Sequence, residues 1–308
     1  MPFETTEKIW LDGELVDWAE ARVHVLTHSL HYGSGVFEGI RAYATEQGPA
    51  VFRLREHVAR LFRSAKVFMI EIPFTEDEIA EAVRQIVRVN GVESCYIRPI
   101  AFLGYGEMGL NPLPCGVQVA IACWPWGTYL GDDGVTKGVT AKISTWQRHD
   151  PNAVPAAAKG TGMYVNSSMA KVEALKAGYD EAILLSPQGL VSECTGENIF
   201  AVRNGLITTP DNSLVGALAG ITQDSVVTIA RDLGYEVRFG SIVRSDLYTA
   251  DEVFLTGTAA EVVPIRAVDD RTVGTGVPGP VTKLIQEQYF AAVRGEVDRY
   301  KEWLDHVR

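Results

Sequence analysis

Cysteine is scarce in this sequence. The four cysteines, Cys95, Cys115, Cys123 and Cys194, form no C-x-x-C pair. That excludes a disulfide-stapled miniprotein and points to reduced thiols of an intracellular protein. No apolar run approaches the roughly 20 residues needed to cross a bilayer. The polar N-terminus, Met1 to Lys8, carries no apolar signal core. Cations are in deficit, with 28 Lys and Arg against 39 Asp and Glu, a net charge of −11. Such a chain repels phosphate backbones, so nucleic acid is not an expected partner, and without a spanning run neither is a membrane. Small anionic ligands respond to local charge and stay open. Internal repeats and low-complexity tracts are absent as well. A cytoplasmic enzyme is the leading expectation, with a scaffold or interaction protein as the rival.

What is present is ordinary for a folded chain. Of 308 residues, 46% are hydrophobic, and the length suggests about two domains. Residues 8–11 and 14–16 flank Asp12-Gly13 and read as a hairpin. Residues 51–54 read as a strand. Residues 55–68 read as a helix with Val58, Leu61, Phe62, Ala65 and Phe68 on one face. Thr75 and Glu78 make a capping box that opens a helix running to about Val89. Apolar strands follow at 95–103 and 118–124. Residues 125–138 hold Pro125 and four glycines without periodicity and read as a linker. The expected division is therefore a small N-terminal α+β domain (1–125), an interdomain loop (126–138) and a larger C-terminal domain (139–308). In the last, strands are expected at 141–146, 181–185, 199–202, 206–208, 236–238 and 252–255. Helices are expected at 165–177, at 222–233 and from about Pro280.

Two tempting patterns carry little. Gly104-Tyr-Gly106-Glu-Met-Gly109 matches G-x-G-x-x-G, but Pro112 and Pro114 follow where a dinucleotide site needs a helix. The glycines read as loop-shaping. His24, His28 and His31 have helical spacing, yet Gly33 and Gly35 interrupt any helix and no local carboxylate completes a metal set. They read as loop-orienting histidines.

A second group points to chemistry. Lys159 lies among small residues just before a helix, where desolvation can lower an amine's pKa and make it a nucleophile toward a carbonyl. Glu193 and Glu197 share a glycine-containing turn. Residues 216–222 lead into a helix whose first amides form an anion cradle. Thr256-Gly257-Thr258-Ala259-Ala260 is a strand end that lets backbone approach a ligand. Lysine nucleophile, carboxylate, phosphate cradle and small-residue amides together describe a pyridoxal phosphate site.

With those residues on view, the chain resembles the fold-type IV pyridoxal-phosphate enzymes, most closely the bacterial branched-chain amino acid aminotransferases. The resemblance covers nearly the whole chain. Its specific matches are Phe37-Glu38-Gly39-Ile40-Arg41, Tyr96-Ile97-Arg98-Pro99, Gly109-Leu110-Asn111-Pro112, Trp124-Pro125-Trp126-Gly127, residues 193–198 and Gly257-Thr258-Ala259-Ala260-Glu261. It implies a mixed α/β, two-domain fold of the D-amino acid aminotransferase type, with a β-barrel-like C-terminal domain and the cofactor, pyridoxal 5′-phosphate, between the halves. Lys159 resembles the Schiff-base lysine and proton-transfer base, and Glu193 the carboxylate on the pyridine nitrogen. Tyr164 is similar to the residue on the cofactor's phenolic oxygen. Arg60, Ile221, Thr222 and Thr258 match the phosphate contacts. Glu197 matches a supporting carboxylate near Arg60 or the cofactor rim.

The same resemblance implies ping-pong transamination of L-leucine, L-isoleucine and L-valine with 2-oxoglutarate, as in amino-acid biosynthesis. Phe37, Trp126, Tyr129 and Tyr164 would wall the side-chain pocket, with Gly39 and Met108 beside them. Arg98, helped by the hydroxyls of Tyr32 and Tyr129, would hold a distal carboxylate. Tyr96 and the amides of Thr258 and Ala259 would hold the α-carboxylate. Glu107 departs from the pattern, in a loop where relatives often carry a small residue. A D-amino acid or (R)-amine transaminase, or a non-catalytic binding protein on this fold, stays an alternative. In relatives the loop after Leu103 closes a neighbouring subunit's site, which implies a homodimer or a higher assembly such as a hexamer.

Overall fold

The computed structural model describes residues 4–127 and 130–307, and within them the chain forms two compact units. The first comprises residues up to Gly127 together with Ala158–Met163 and Ala292–Arg308. The second comprises Thr128–Ala157 and Tyr164–Ala291. This differs from a contiguous division at residues 126–138. The six residues around Lys159 and the C-terminal segment pack with the first unit, because strand pairing and burial bind them there. Gly160 bridges Val36, the Phe37 amide donates to Lys159 O at 3.1 Å, and Leu304–His306 pairs with Ala50–Phe52.

The first unit opens with the hairpin of β1 (Lys8–Leu11) and β2 (Glu14–Asp17). Asp12 and Gly13 both take positive φ, 48° and 99°, as a tight two-residue turn requires. There follow α1 (His28–Tyr32), β3 (Gly35–Phe37), β4 (Ile40–Thr45), β5 (Gly48–Phe52), α2 (Leu54–Val67), α3 (Glu76–Val89), β6 (Cys95–Leu103) and β7 (Val117–Trp124). Leu54 opens a helix rather than ending a strand, since Arg53 sits in the left-handed region (φ 53°) and turns the chain. The Thr75–Glu78 capping box is present. The sheet runs Leu304–His306, β5, β4, β6, β7, β1, β2, with β3 also on β6, every pairing antiparallel. Val58, Leu61 and Ala65 of α2 and Ile79, Val83 and Ile86 of α3 join Ile97, Val119 and Ile121 of the sheet in one apolar core.

In the second unit, α4 (Asp132–Lys137) lies within the stretch read as linker. It precedes β8 (Val139–Gln147), α5 (Tyr164–Lys176), β9 (Glu181–Leu185), β10 (Val191–Cys194), β11 (Asn198–Arg203), β12 (Leu206–Pro210), α6 (Asn212–Val215), α7 (Ile221–Asp232), β13 (Val237–Gly240), α8 (Arg244–Tyr248), β14 (Glu252–Gly257), β15 (Glu261–Val268), β16 (Arg271–Thr272) and α9 (Pro280–Val293). Their sheet has the order β10-β9-β8-β15-β14-β11-β12-β13 and curls into a half-barrel, with β16 on β15. It mixes parallel pairs (β8 with β9 and β15, β12 with β13) with antiparallel ones. Ile143, Ile183, Val191, Ile199, Leu255 and Val263 fill its core. Residues 104–116 form no helix, and Gly106 and Gly109 take φ of 141° and 117°, as expected of loop-shaping glycines. No helix among the described residues is long and apolar enough to cross a membrane, and none of their His, Cys, Asp or Glu clusters could hold a metal.

Candidate active site

In the first unit, α2 buries a polar stripe beside its apolar one. His57, Arg60 and Ser64, spaced i, i+3, i+7, are each no more than 5% exposed, so they share one inward face. Glu38, fully buried after β3, meets two of them. Arg60 Nε donates to Oε1 at 2.6 Å and Nη2 to Oε2 at 2.8 Å, a two-pronged pair. His57 Nδ1 lies 2.8 Å from Oε2. Burial opposes ionisation of Glu38, but the charge and hydrogen bonds of Arg60 and the bond from His57 outweigh it and hold the carboxyl well below its usual range. Burial keeps His57 neutral by lowering its pKa, against the pull of Glu38. With both Arg60 prongs fixed, the guanidinium plane has one orientation.

Ser64 ties this stripe to the lysine: the Lys159 amide donates to Ser64 Oγ at 3.0 Å. Lys159 is half-buried, its Nζ 5.1 Å from the Phe37 ring centre. Arg98, on β6, sits 4.7 Å from the Phe37 ring, 5.3 Å from Tyr96 and 6.0 Å from Trp124. Its Nη2 donates to the Tyr96 hydroxyl at 3.2 Å. Trp126 meets Tyr96 edge-on, with centroids 4.6 Å apart. Gly39 is required here, because a Cβ would come within 1.9 Å of the Tyr96 hydroxyl. The unit thus gathers Phe37, Gly39, Arg60, Tyr96, Arg98, Trp126 and Lys159.

Tyr32, Glu107 and Met108 are exposed, in α1 and the 104–116 loop. His28 couples these two segments, with Nδ1 2.6 Å from Ser34 Oγ and Nε2 2.8 Å from Gly109 O. His24 lies outside α1, which starts only at His28, so the three histidines do not share a helix face. His31 reaches Val25 O instead. Tyr129 lies outside the described residues.

In the second unit, Glu193 on β10 is buried and its carboxylate is held at both ends. Arg148 Nη2 lies 2.8 Å from Oε1, and the Leu218 amide donates to Oε2 at 3.1 Å. Arg148 in turn donates to Asn166 Oδ1, Ser167 Oγ and Cys194 O at 3.0–3.1 Å. The start of α5, where Tyr164 stands, is thereby fixed relative to Glu193. Ile221 and Thr222 occupy the first turn of α7, both buried, behind the N-cap Gly220. A Cβ on Gly220 would approach Asn198 Oδ1 to 2.0 Å, so the backbone there stays bare. Thr258 and Ala259 form the half-buried turn after β14. Glu197 is buried, with its Oε2 accepting from the Gly196 amide at 3.1 Å.

Sequence reasoning did not find His57 or Arg148 as members of these clusters, and it placed Glu38 only within a family motif, without a partner. One signal was available for His57: a histidine, an arginine and a serine on a helix face that also points inward are out of place unless they meet polar partners.

The class IV amino-transferase family model matches residues 35–268. The chain belongs to the class IV aminotransferases. It is 48% identical over 300 residues to the branched-chain-amino-acid aminotransferase of Pseudomonas aeruginosa, covering 97% of each chain. It is 47% identical to that of Escherichia coli strain K12, covering 98% of this chain and 99% of the other. Among solved structures, a T.th. branched-chain amino acid aminotransferase with pyridoxamine 5′-phosphate superposes with a TM-score of 0.96 at 50% identity, covering 99% of both chains.

Proposed function

We propose that this chain is a pyridoxal 5′-phosphate-dependent transaminase that moves the amino group of L-leucine, L-isoleucine and L-valine to 2-oxoglutarate. The observation that carries this reading is its likeness, over nearly the full length, to aminotransferases named for branched-chain amino acids. The residues present also fit the cofactor. A buried carboxylate flanked by an arginine and an amide, Glu193, suits a protonated ring nitrogen. A bare helix start at Gly220–Thr222 and an aimed guanidinium, Arg60, suit a phosphate.

Bound, the cofactor supplies an electron sink for charge developing at the substrate's Cα and a carbon that carries the amino group between half-reactions. The chain's own residues do the rest. Lys159 Nζ takes the Cα proton and returns it, the Phe37 ring beside it excluding water. Glu193 would hold the ring nitrogen's proton. Tyr164 would donate to the cofactor's phenolic oxygen. Thr258 and the α7 amides, with Arg60, would bind the phosphate. Tyr96 and the amides of Thr258 and Ala259 hold the α-carboxylate. Phe37, Trp126 and Tyr164 form the apolar wall, and Arg98 receives glutamate's distal carboxylate.

The same reading includes a cytoplasmic setting and self-assembly. Val25, Leu30, Tyr105, Leu110 and Leu113 are exposed on α1 and the neighbouring loops, Leu110 to 87%. An apolar patch of this kind fits a second copy of the chain, and light scattering of the purified protein checks it.

The test is spectroscopic and kinetic. The protein with added pyridoxal phosphate should develop a visible band that borohydride removes, with the mass label on Lys159. Lys159→Ala should lose both the label and turnover. L-leucine should far outpace D-alanine and (R)-1-phenylethylamine as donor to 2-oxoglutarate. Strong D-alanine activity with none on L-leucine would overturn the substrate assignment.

A further inference from the structure

The neighbourhood of Glu193 holds three buried carboxylates and two cations. Glu181, fully buried on β9, has Lys171 Nζ at 2.6 Å and accepts from Thr195 Oγ1 at 2.6 Å. Glu193 has Arg148 at 2.8 Å. Glu197, 3% exposed, has neither: among the described residues its carboxyl accepts one hydrogen bond, from the neighbouring Gly196 amide. Its stem packs against the end of β14, where a Cβ on Gly257 would sit 3.3 Å from Glu197 Cγ.

We propose that Glu197 is a positioning residue that stands as a neutral carboxylic acid, leaving Glu193 as the sole anion presented to the cofactor's ring nitrogen. The first half follows from the charge count; the second rests on the proposed function. Two cations neutralise two carboxylates, and a third buried negative charge without a cation takes up a proton instead. The groups facing Glu197 agree. Glu181 on β9 and Glu193 on β10 repel its charge, while Lys171 on α5, already bonded to Glu181, and the Gly196 amide favour it. Cys194 on β10 is a thiol held protonated by burial, and Gly257 on β14 contributes no charge. Burial first and Glu181 second push the Glu197 pKa up to about 8. An anionic ligand bound nearby would favour the neutral form further. Were Glu197 ionised, a second anion would stand four residues from Glu193 on the same turn, raising the proton affinity of Glu193 and blurring which group holds the nitrogen's proton.

The experiment is difference infrared spectroscopy of wild type against Glu197→Gln, on protein with and without added pyridoxal phosphate. Wild type at pH 6.5 should show the carbonyl stretch of a protonated carboxyl, lost with a midpoint near pH 8 and missing from the variant. In the holoenzyme, the alkaline limb of the activity profile with that midpoint should likewise vanish in Glu197→Gln. A wild-type spectrum with no protonated carboxyl at pH 6.5, or a band that survives the substitution, overturns the proposal. If Glu197→Gln does not accumulate as folded protein, Glu197→Asp makes the assignment by shifting the band and its midpoint; an unshifted band refutes it. The cofactor-free spectra decide the protonation state even if no pyridoxal phosphate binds, so failure of the proposed function is read separately, from a missing visible band.

Discussion

Replacing Glu38 by glutamine should destabilise the first unit by about 3–4 kcal/mol. The side chain keeps its shape, so packing is spared and the change is electrostatic. Glu38 is fully buried and accepts from Arg60 twice, at 2.6 and 2.8 Å, and from His57 at 2.8 Å. Each hydrogen bond between charged groups contributes about 1.5–3 kcal/mol, and a glutamine carbonyl restores one neutral bond of about 1 kcal/mol. The amide's own N–H groups then face donors of Arg60 or His57. Removing one member of a buried pair typically costs about 3–5 kcal/mol, in line with that sum. Urea unfolding of the cofactor-free protein by tryptophan fluorescence suits the measurement. Five of the six tryptophans, Trp10, Trp18, Trp124, Trp126 and Trp303, lie in the first unit. The sign with pH is a second check. Because the folded carboxyl titrates below its ordinary value of 4.5, its contribution is present above that pH and fades as pH falls through the folded value. The gap between wild type and variant should therefore narrow below pH 4.5. A Glu38→Leu/Arg60→Met double variant should recover most of the loss, since apolar groups can replace a buried pair at little cost. A loss under about 1 kcal/mol for Glu38→Gln, with no dependence on pH, would refute the claim that this ion pair holds Arg60.

Two other perturbations test neighbouring groups. Arg98→Ala should raise KM for glutamate at least tenfold more than KM for leucine; equal losses would remove Arg98 from the distal-carboxylate role. His57 is kept neutral by burial, so the unfolded chain binds its proton first as pH falls below the ordinary 6.5. Stability should therefore fall on acidification below about pH 6.5, and His57→Gln should flatten that slope in a denaturation series; an unchanged slope assigns it elsewhere.

The local elements were legible because their signals are local. Asp12-Gly13 specified the first hairpin, Thr75 with Glu78 specified the start of α3, and Gly178 and Gly234, both with positive φ, stopped the helices before them. What escaped was set at long range. Gly35–Phe37 and Ile40–Thr45 are strands because β6 pairs with both. Arg53 reverses the chain in a left-handed conformation that a non-glycine residue rarely announces. The short helix Asp132–Lys137 hides behind glycines that otherwise signal a linker. Likewise, Lys159 and Glu193 stood out by their settings in sequence, whereas their supports did not. Glu38 and Arg60 are 22 residues apart, and Arg148 lies 45 residues from Glu193.

The three arginines are held in different ways. Arg60 and Arg148 are each fixed by a carboxylate, Glu38 and Glu193, which sets the orientation of the guanidinium and offsets part of its charge. Arg98 is different. Among the described residues it has no ion pair, its Nε is buried without a hydrogen bond, and the rings of Phe37, Tyr96 and Trp124 surround it. Aromatic faces stabilise a cation by about 0.5–2 kcal/mol without cancelling it. They also present apolar surface. One cluster can therefore accept a leucine side chain against its rings and a glutamate carboxylate on its guanidinium, which are the two demands of this transamination. An acidic partner for Arg98 would satisfy its charge and close the second option. A net charge of −11 is therefore no obstacle to binding anions: a cation that the protein leaves unneutralised, as Arg98 is among the described residues, keeps its charge for a ligand.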